Sequence, residues 1–332
     1  MTIYKLIATF AIEKRQLTMI IAINARTLKS VPHDGIGWFT REVFGKIVSA
    51  HPEHHFVLIS DRRYDVPPVT GSNVDYITIP LRTVHPLLWY AWHELFLPAV
   101  LKKVKADLFV APEGIIPLHT TVPCIPVIHD LNHEHRPDDI PRRERLYFRH
   151  FFPLFAKKAV RVATVSEFSA KDISATYGIT GSKIDVVPNG VADIFSPPLP
   201  GEAEETRKEF TGGRPYFLFV SNFSPRKNVE TVIRAYDLFR KNSNSDHVLL
   251  LAGKRLYLTR AIDRALEASP YGSDILFTGS VGRDVLRRLY GAAVAFTFVP
   301  WFEGFGIPVV EAQRCGTPCI LSDTSSLPEV SG

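Results

Sequence analysis

Residues 294–321 read VAFTFVPWFEGFGIPVVEAQRCGTPCIL, and the order of residue types in this stretch decides the fold. The β-branched and aromatic run Val294–Val299 predicts a buried strand. Pro300 and the glycines after it break the run, and the apolar spacing that follows predicts a helix over 307–315. A second apolar run, Pro318–Leu321, then starts. Strand, helix and strand in this order make a parallel crossover unit, whose strand-to-helix turn is where a doubly wound sheet holds its ligand.

The same alternation extends outward. Strands are expected at 216–222, 247–253 and 275–279, with helices at 228–241, 258–268 and 284–293. Upstream, strands at 20–24, 56–60, 74–79, 108–110, 125–129, 161–165 and 184–187 alternate with helices at 37–50, 87–104, 143–159 and 167–177, the last capped by Ser166. Between the two halves, Pro197-Pro198-Leu199-Pro200-Gly201 and the acidic Glu202, Glu204 and Glu205 read as a linker. The expected organisation is an α/β chain: an extension at 1–18, a Rossmann-like domain at 19–195, a linker at 196–214 and a second Rossmann-like domain at 215–332.

Composition narrows the class. With 332 residues, 45% hydrophobic and 22% charged, the chain can build two sizeable cores and is neither fibrous nor extensively disordered. A net charge of +5 is too diffuse over this length to indicate a nucleic-acid partner. Cys124, Cys315 and Cys319 give no paired framework, which points to a reduced, cytoplasmic setting. The apolar run Leu6–Ile12 meets Glu13-Lys14-Arg15 at once and reads as no signal peptide, and Met19 marks residues 1–18 as an extension or a start-site artefact. No stretch is apolar enough for a membrane span.

Two constellations carry chemistry. In Glu303-Gly304-Phe305-Gly306-Ile307-Pro308-Val309-Val310-Glu311 two carboxylates flank a glycine turn that opens a helix. The glycines let backbone N–H groups approach a ligand, and the carboxylates suit hydroxyl recognition on a sugar and on a ribose. In Ser221-Asn222-Phe223-Ser224-Pro225-Arg226-Lys227-Asn228 two cations sit at the start of a helix, the wrong end electrostatically unless an anion bridges them. A diphosphate would do so. The plain alternative is two exposed basic residues in a turn.

With these residues in view, the chain from about Met19 onward resembles glycosyltransferase family 4, retaining enzymes of GT-B fold. The resemblance rests on the Glu303…Glu311 spacing, Gly35-Ile36-Gly37, Val127-Ile128-His129-Asp130, Thr164–Ser169, Val187-Pro188-Asn189-Gly190-Val191 and Arg226-Lys227-Asn228. It implies two Rossmann-like domains facing a cleft, and a hexose moved with retention from a nucleotide diphosphate sugar to a saccharide or lipid-linked saccharide. Arg226 and Lys227 would hold the diphosphate. Glu303, with Gly304, Phe305 and Gly306, would hold the sugar, and Glu311 the ribose. Asn222, Gly35 and Gly37 would line the substrate site, and His129 would touch the reacting sugar. No metal or cofactor is implied, because the two cations replace a metal electrostatically. The wording most resembles bacterial mannosyltransferases of surface polysaccharide, which favours GDP-mannose.

Other readings stand beside this one. His129, His133 and His135 form a loose metal-ligand spacing, but it lacks a zinc-hydrolase pattern. Thr40 stands where a dinucleotide fingerprint has its third glycine, which disfavours a nicotinamide enzyme. A nucleotide-sugar epimerase and an inactive binding module remain as alternatives. The family usually has Pro-Ser before the first glutamate, whereas here Pro300 is followed by Trp301 and Phe302. Family members also continue past the point where this chain stops, so an incomplete second domain is expected. Finally, residues 136–161 interleave Arg136, Arg142, Arg143, Arg145 and Arg149 with Phe148, Phe151, Phe152 and Phe155. This is either a face for anionic membrane lipid, placing the protein peripherally at the inner face of the cell membrane, or a buried aromatic stripe.

Overall fold

A computed structural model describes residues 18–28, 35–81, 86–256 and 259–332. The chain divides into two compact units. One comprises residues 1–131 and 143–189, the other 132–142 and 190–332.

In the first unit five short apolar runs make a parallel sheet: β1 (Ile20–Asn24), β2 (His55–Ser60), β3 (Val74–Thr78), β4 (Leu108–Ala111) and β5 (Cys124–Pro126), in the order β3-β2-β1-β4-β5. Every residue of β4 and β5 is buried, as continuous apolar runs covered on both faces require. A two-stranded parallel sheet, β6 (Val162–Thr164) with β7 (Ile184–Val186), continues from it through a bridge between Val127 and Ala163. The helix Glu167–Tyr177 is capped as its sequence requires: Ser166 Oγ accepts from Ser169 N–H at 3.0 Å, and Gly178 closes it at φ 64°.

Two expectations change here and one open alternative is decided. The helix expected over 87–104 is broken into Pro86–Ala91, a π-helical turn Trp92–Phe96 and Leu97–Lys103. Leu97 N–H bonds Trp92 C=O, a five-residue step, immediately before Pro98, which has no N–H to carry the ordinary ladder on. The helix expected from 37 starts at Gly35, so Gly35 and Gly37, which the resemblance gave to the substrate site, both lie in the helix Gly35–Ala50, and Gly37 is buried. The aromatics of Arg142–Lys158 face inward: Phe152 and Phe155 are buried, and Tyr147, Phe148 and Phe151 pack on the same core. Of the two readings of this segment, the packing matches the buried aromatic stripe. The extension 1–18 lies, apart from Thr18, outside the described residues. Among the described residues, no helix is long and apolar enough to cross a membrane.

The second unit repeats the design with β8 (Tyr216–Val220), β9 (Val248–Ala252), β10 (Ile275–Gly279), β11 (Ala295–Phe298) and β12 (Cys319–Leu321), all parallel, in the order β10-β9-β8-β11-β12. Its core centres on Tyr216, Phe219, Leu250, Tyr290, Phe296 and Phe298. The segment expected as a linker contains the helix Glu202–Thr211. Arg287 Nη1 donates to Glu202 Oε2 at 3.0 Å, and Arg207 Nε donates to Ala292 C=O at 2.9 Å, which fix this helix to Arg283–Ala292. The acid-rich first turn looked like solvated spacer in sequence, yet it complements both the helix dipole and a basic neighbour.

Candidate active site

In the second sheet the strand order reverses between β8 and β11, the place at which a doubly wound sheet holds its ligand. Arg226 and Lys227 sit on the loop after β8, and Glu303 on the loop after β11.

The first loop is tied to the second by its backbone. Asn228 takes a left-handed conformation (φ 56°), and its Nδ2 donates to Val299 C=O at 2.9 Å while its Oδ1 accepts from Thr231 Oγ1 at 2.6 Å. Trp301 N–H donates to Arg226 C=O at 2.9 Å, and Arg226 Nη1 donates to Phe302 C=O at 3.2 Å. These bonds bring both cations onto one carboxylate. Glu303 Oε2 accepts from Arg226 Nη1 at 2.9 Å and from Lys227 Nζ. Lys227 is buried, with its ammonium over the Phe298 ring at 5.0 Å. The anion that adjacent cations at a helix start call for is thus, in the first instance, Glu303. Burial alone would raise the Glu303 carboxyl, but Arg226 and Lys227 outweigh it and hold the group below the usual carboxylate range.

Serines that the sequence reading did not single out brace the acidic turn. Glu303 N–H donates to Ser325 Oγ at 3.0 Å, Ser326 Oγ donates to Glu303 C=O at 2.9 Å, and Ser322 Oγ donates to Pro300 C=O at 3.0 Å. The one signal was compositional: Ser322-Asp323-Thr324-Ser325-Ser326 is a run of side chains that bond backbone. Gly304, Phe305 and Gly306 follow, all buried. Gly306 has φ 93°, and a Cβ there would meet Leu327 Cδ2 at 2.8 Å, so only glycine fits the start of the helix Ile307–Arg314.

Glu311 lies on that helix and is buried. Tyr290 OH donates to its Oε2 at 3.1 Å. Burial pushes the carboxyl up to about 7, opposed by the Tyr290 hydrogen bond and the Arg283 charge. Asn222 stands at the end of β8, where its Oδ1 accepts from Lys254 N–H at 3.5 Å; it makes its contact with the loop after β9. Gly253 allows this approach, since a Cβ there would lie 1.8 Å from Ser221 C=O.

The remaining expected residues, Gly35, Gly37 and His129, belong to the first unit. His129 Nε2–H donates to Pro112 C=O at 2.8 Å and its ring meets Phe39 edge-on at 5.0 Å, which fixes tautomer and orientation. The first unit also holds a polar cluster that sequence reading missed. Arg26 Nη1 donates to Glu113 Oε1 at 2.9 Å and approaches His93 Nε2 at 3.2 Å, and Asn24 Nδ2 donates to the same Glu113 oxygen at 2.8 Å. Asn24 ends β1, Arg26 follows it and Glu113 follows β4, the two strands at that sheet's own reversal, while His93 comes from the π-helical turn Trp92–Phe96. Among the described residues, no three His, Cys, Asp or Glu side chains gather as a metal site would.

The pattern described as Glycosyltransferase Family 4 matches residues 47–195, and that described as Glycosyl transferases group 1 matches residues 202–332. The chain joins a Glycosyltransferase Family 4 domain to a Glycosyl transferases group 1 domain.

Similar proteins include O-antigen chain mannosyltransferase B of Escherichia coli, 26% identical over 70% of this chain and 61% of that protein. O-antigen chain mannosyltransferase RfbU of Salmonella typhimurium is 27% identical over 79% of this chain and 69% of that one. Among solved structures, WaaG, a glycosyltransferase of lipopolysaccharide biosynthesis, superposes with TM-score 0.71 at 17% identity over 94% of this chain and 84% of its own. Anabaena HepE, crystallised with UDP and glucose, gives 0.68 at 16% over 94% and 82%. These structural likenesses establish the GT-B fold, with two Rossmann-like sheets of five parallel strands each.

Proposed function

We propose that this protein is a retaining hexosyltransferase that moves mannose from GDP-mannose, or a closely related nucleotide diphosphate sugar, to a saccharide acceptor. The observation that carries this reading is the gathering of Arg226 and Lys227 on Glu303 at the reversal of the second sheet. In the reaction the bond between the sugar's anomeric carbon and the diphosphate breaks, and a bond from that carbon to an acceptor hydroxyl forms on the same face. The acceptor proton leaves with the nucleotide diphosphate. Negative charge grows on the departing phosphate, and two preorganised cations in a largely dry site stabilise it more than they stabilise the bound substrate. No metal is needed for that role in this reading, and turnover should persist in EDTA.

Glu303 has two tasks. It keeps the cations together and offsets part of their charge before donor binds, and its other oxygen offers an acceptor to a sugar hydroxyl. Glu311, at the second helical turn, would accept from the ribose diol. The mannosyltransferase names of the relatives favour mannose, and HepE, solved with UDP and glucose, supports a nucleotide sugar as donor.

The test is a thermal-shift screen with GDP-, UDP- and ADP-sugars, followed by turnover and NMR of the product's anomeric proton. One nucleotide class should raise the melting temperature by mass action, and the product should keep the donor's configuration. If no nucleotide sugar binds or is cleaved, the reading is wrong. If the donor alone is converted to its epimer, the enzyme is an epimerase.

A further inference from the structure

Trp301 and Phe302 stand directly before Glu303, and one segment engages both. Residues 132–142 interrupt the first unit in sequence but group with the second by their contacts. The His135 imidazole stacks on the Phe302 ring, with centroids 5.2 Å apart and planes at 30°. The Arg136 guanidinium lies over the Trp301 ring at 5.4 Å. Arg136 is itself oriented: its Nε donates to Asp139 Oδ2 at 2.6 Å and its Nη2 to Asp139 Oδ1 at 3.3 Å, with Asp139 buried. Two backbone bonds stiffen the segment, Arg136 N–H to Asn132 C=O at 2.8 Å and Asp139 N–H to Arg136 C=O at 3.0 Å.

On its other side, the Trp301–Phe302 backbone is bonded to Arg226, as described above. The dipeptide therefore lies between the 132–142 segment and the cation pair. A planar guanidinium on an indole face and an imidazole on a phenyl ring fix orientation as well as distance, which an aliphatic contact would not.

We propose that residues 132–142 form a strap that positions Glu303, with Arg136 and Trp301 as positioning residues for the transfer reaction. The strap holds the dipeptide, the dipeptide holds the Arg226 backbone and guanidinium, and Glu303 follows within one residue. This rests on the donor-site reading above and deepens it. It also accounts for the aromatic pair standing where family members usually carry Pro-Ser: the rings give the strap something to grip.

The experiment is amide hydrogen exchange on the full chain, read on peptides covering 132–142 and 300–306, with kinetics on the same samples. Trp301→Ala and Arg136→Ala should each speed exchange in both peptides by about tenfold, leaving the β8 and β9 peptides as in wild type. Turnover of the nucleotide sugar should lose about tenfold in kcat with donor KM within about twofold, because geometry and not binding is disturbed. Trp301→Phe, which keeps a ring under the guanidinium, should restore most of both. Wild-type protection of 300–306 in Arg136→Ala would overturn the strap. So would a rise in KM without a fall in kcat. Should wild-type protein turn over no nucleotide sugar, the donor reading fails, and the exchange data still decide the strap.

Discussion

The Tyr290 hydroxyl donates to Glu311 Oε2 over 3.1 Å, and the carboxyl it meets is dry enough to titrate at about 7. A ribose diol donates more strongly to a carboxylate than to a carboxylic acid, so nucleotide binding should favour the ionised form. Affinity for GDP measured by calorimetry should weaken about tenfold between pH 8 and pH 6, with proton release on binding near pH 7. Tyr290→Phe should move the midpoint up, because the lost hydrogen bond favours the charged form. Glu311→Gln should flatten the profile.

Folding stability should carry the opposite trace of the same group. Between about pH 4.5 and about 7 the native state holds a proton on Glu311 that the unfolded chain has released, so stability falls as pH rises across that window. The full effect is about 3 kcal/mol. Denaturant midpoints of wild type and Glu311→Gln should diverge over this range and run parallel above it.

Lys227→Ala removes one of two cations from a mostly buried carboxylate. It should cost about 3 kcal/mol of stability, since the Glu303 charge loses much of its compensation, and lower kcat by about a hundredfold or more. Urea melts together with steady-state rates check both. A kcat near wild type would show that the leaving group does not use this amine.

Gly306→Ala should lower stability by about 2 kcal/mol, because it adds left-handed strain to a close approach against Leu327. Gly45→Ala makes the contrasting case. It lies inside the helix Gly35–Ala50 with open space around the added methyl, and should raise stability by about 0.5–1 kcal/mol. Thermal unfolding of the two variants gives the comparison.

Much of this was legible in the sequence, for a physical reason. Fully buried parallel strands must be continuous apolar runs, so β1, β9 and β11 announce themselves. The turn glycines after β11 and the adjacent cations after β8 do so too, because few other structures tolerate them. What stayed hidden acts through backbone or across long separations. Ser325 and Ser326 bond the Glu303 main chain, which any hydroxyl-bearing residue could do. The pairing of Arg26 with Glu113 joins positions that only the sheet order brings together. The helix Glu202–Thr211 was obscured by flanking prolines and acidic residues whose partners, Arg287 and Arg288, lie some eighty positions later.

Because residues 132–142 are borrowed from the middle of the other half, the second unit is not a contiguous stretch of chain. Expressing residues 190–332 alone would leave Trp301 without its guanidinium and Phe302 without its imidazole. A chimaera spliced at the proline-rich junction near residue 197 would pair one parent's acidic turn with the other parent's clasp. Shuffling specificity between relatives would therefore have to carry the short clasp along with the half it serves.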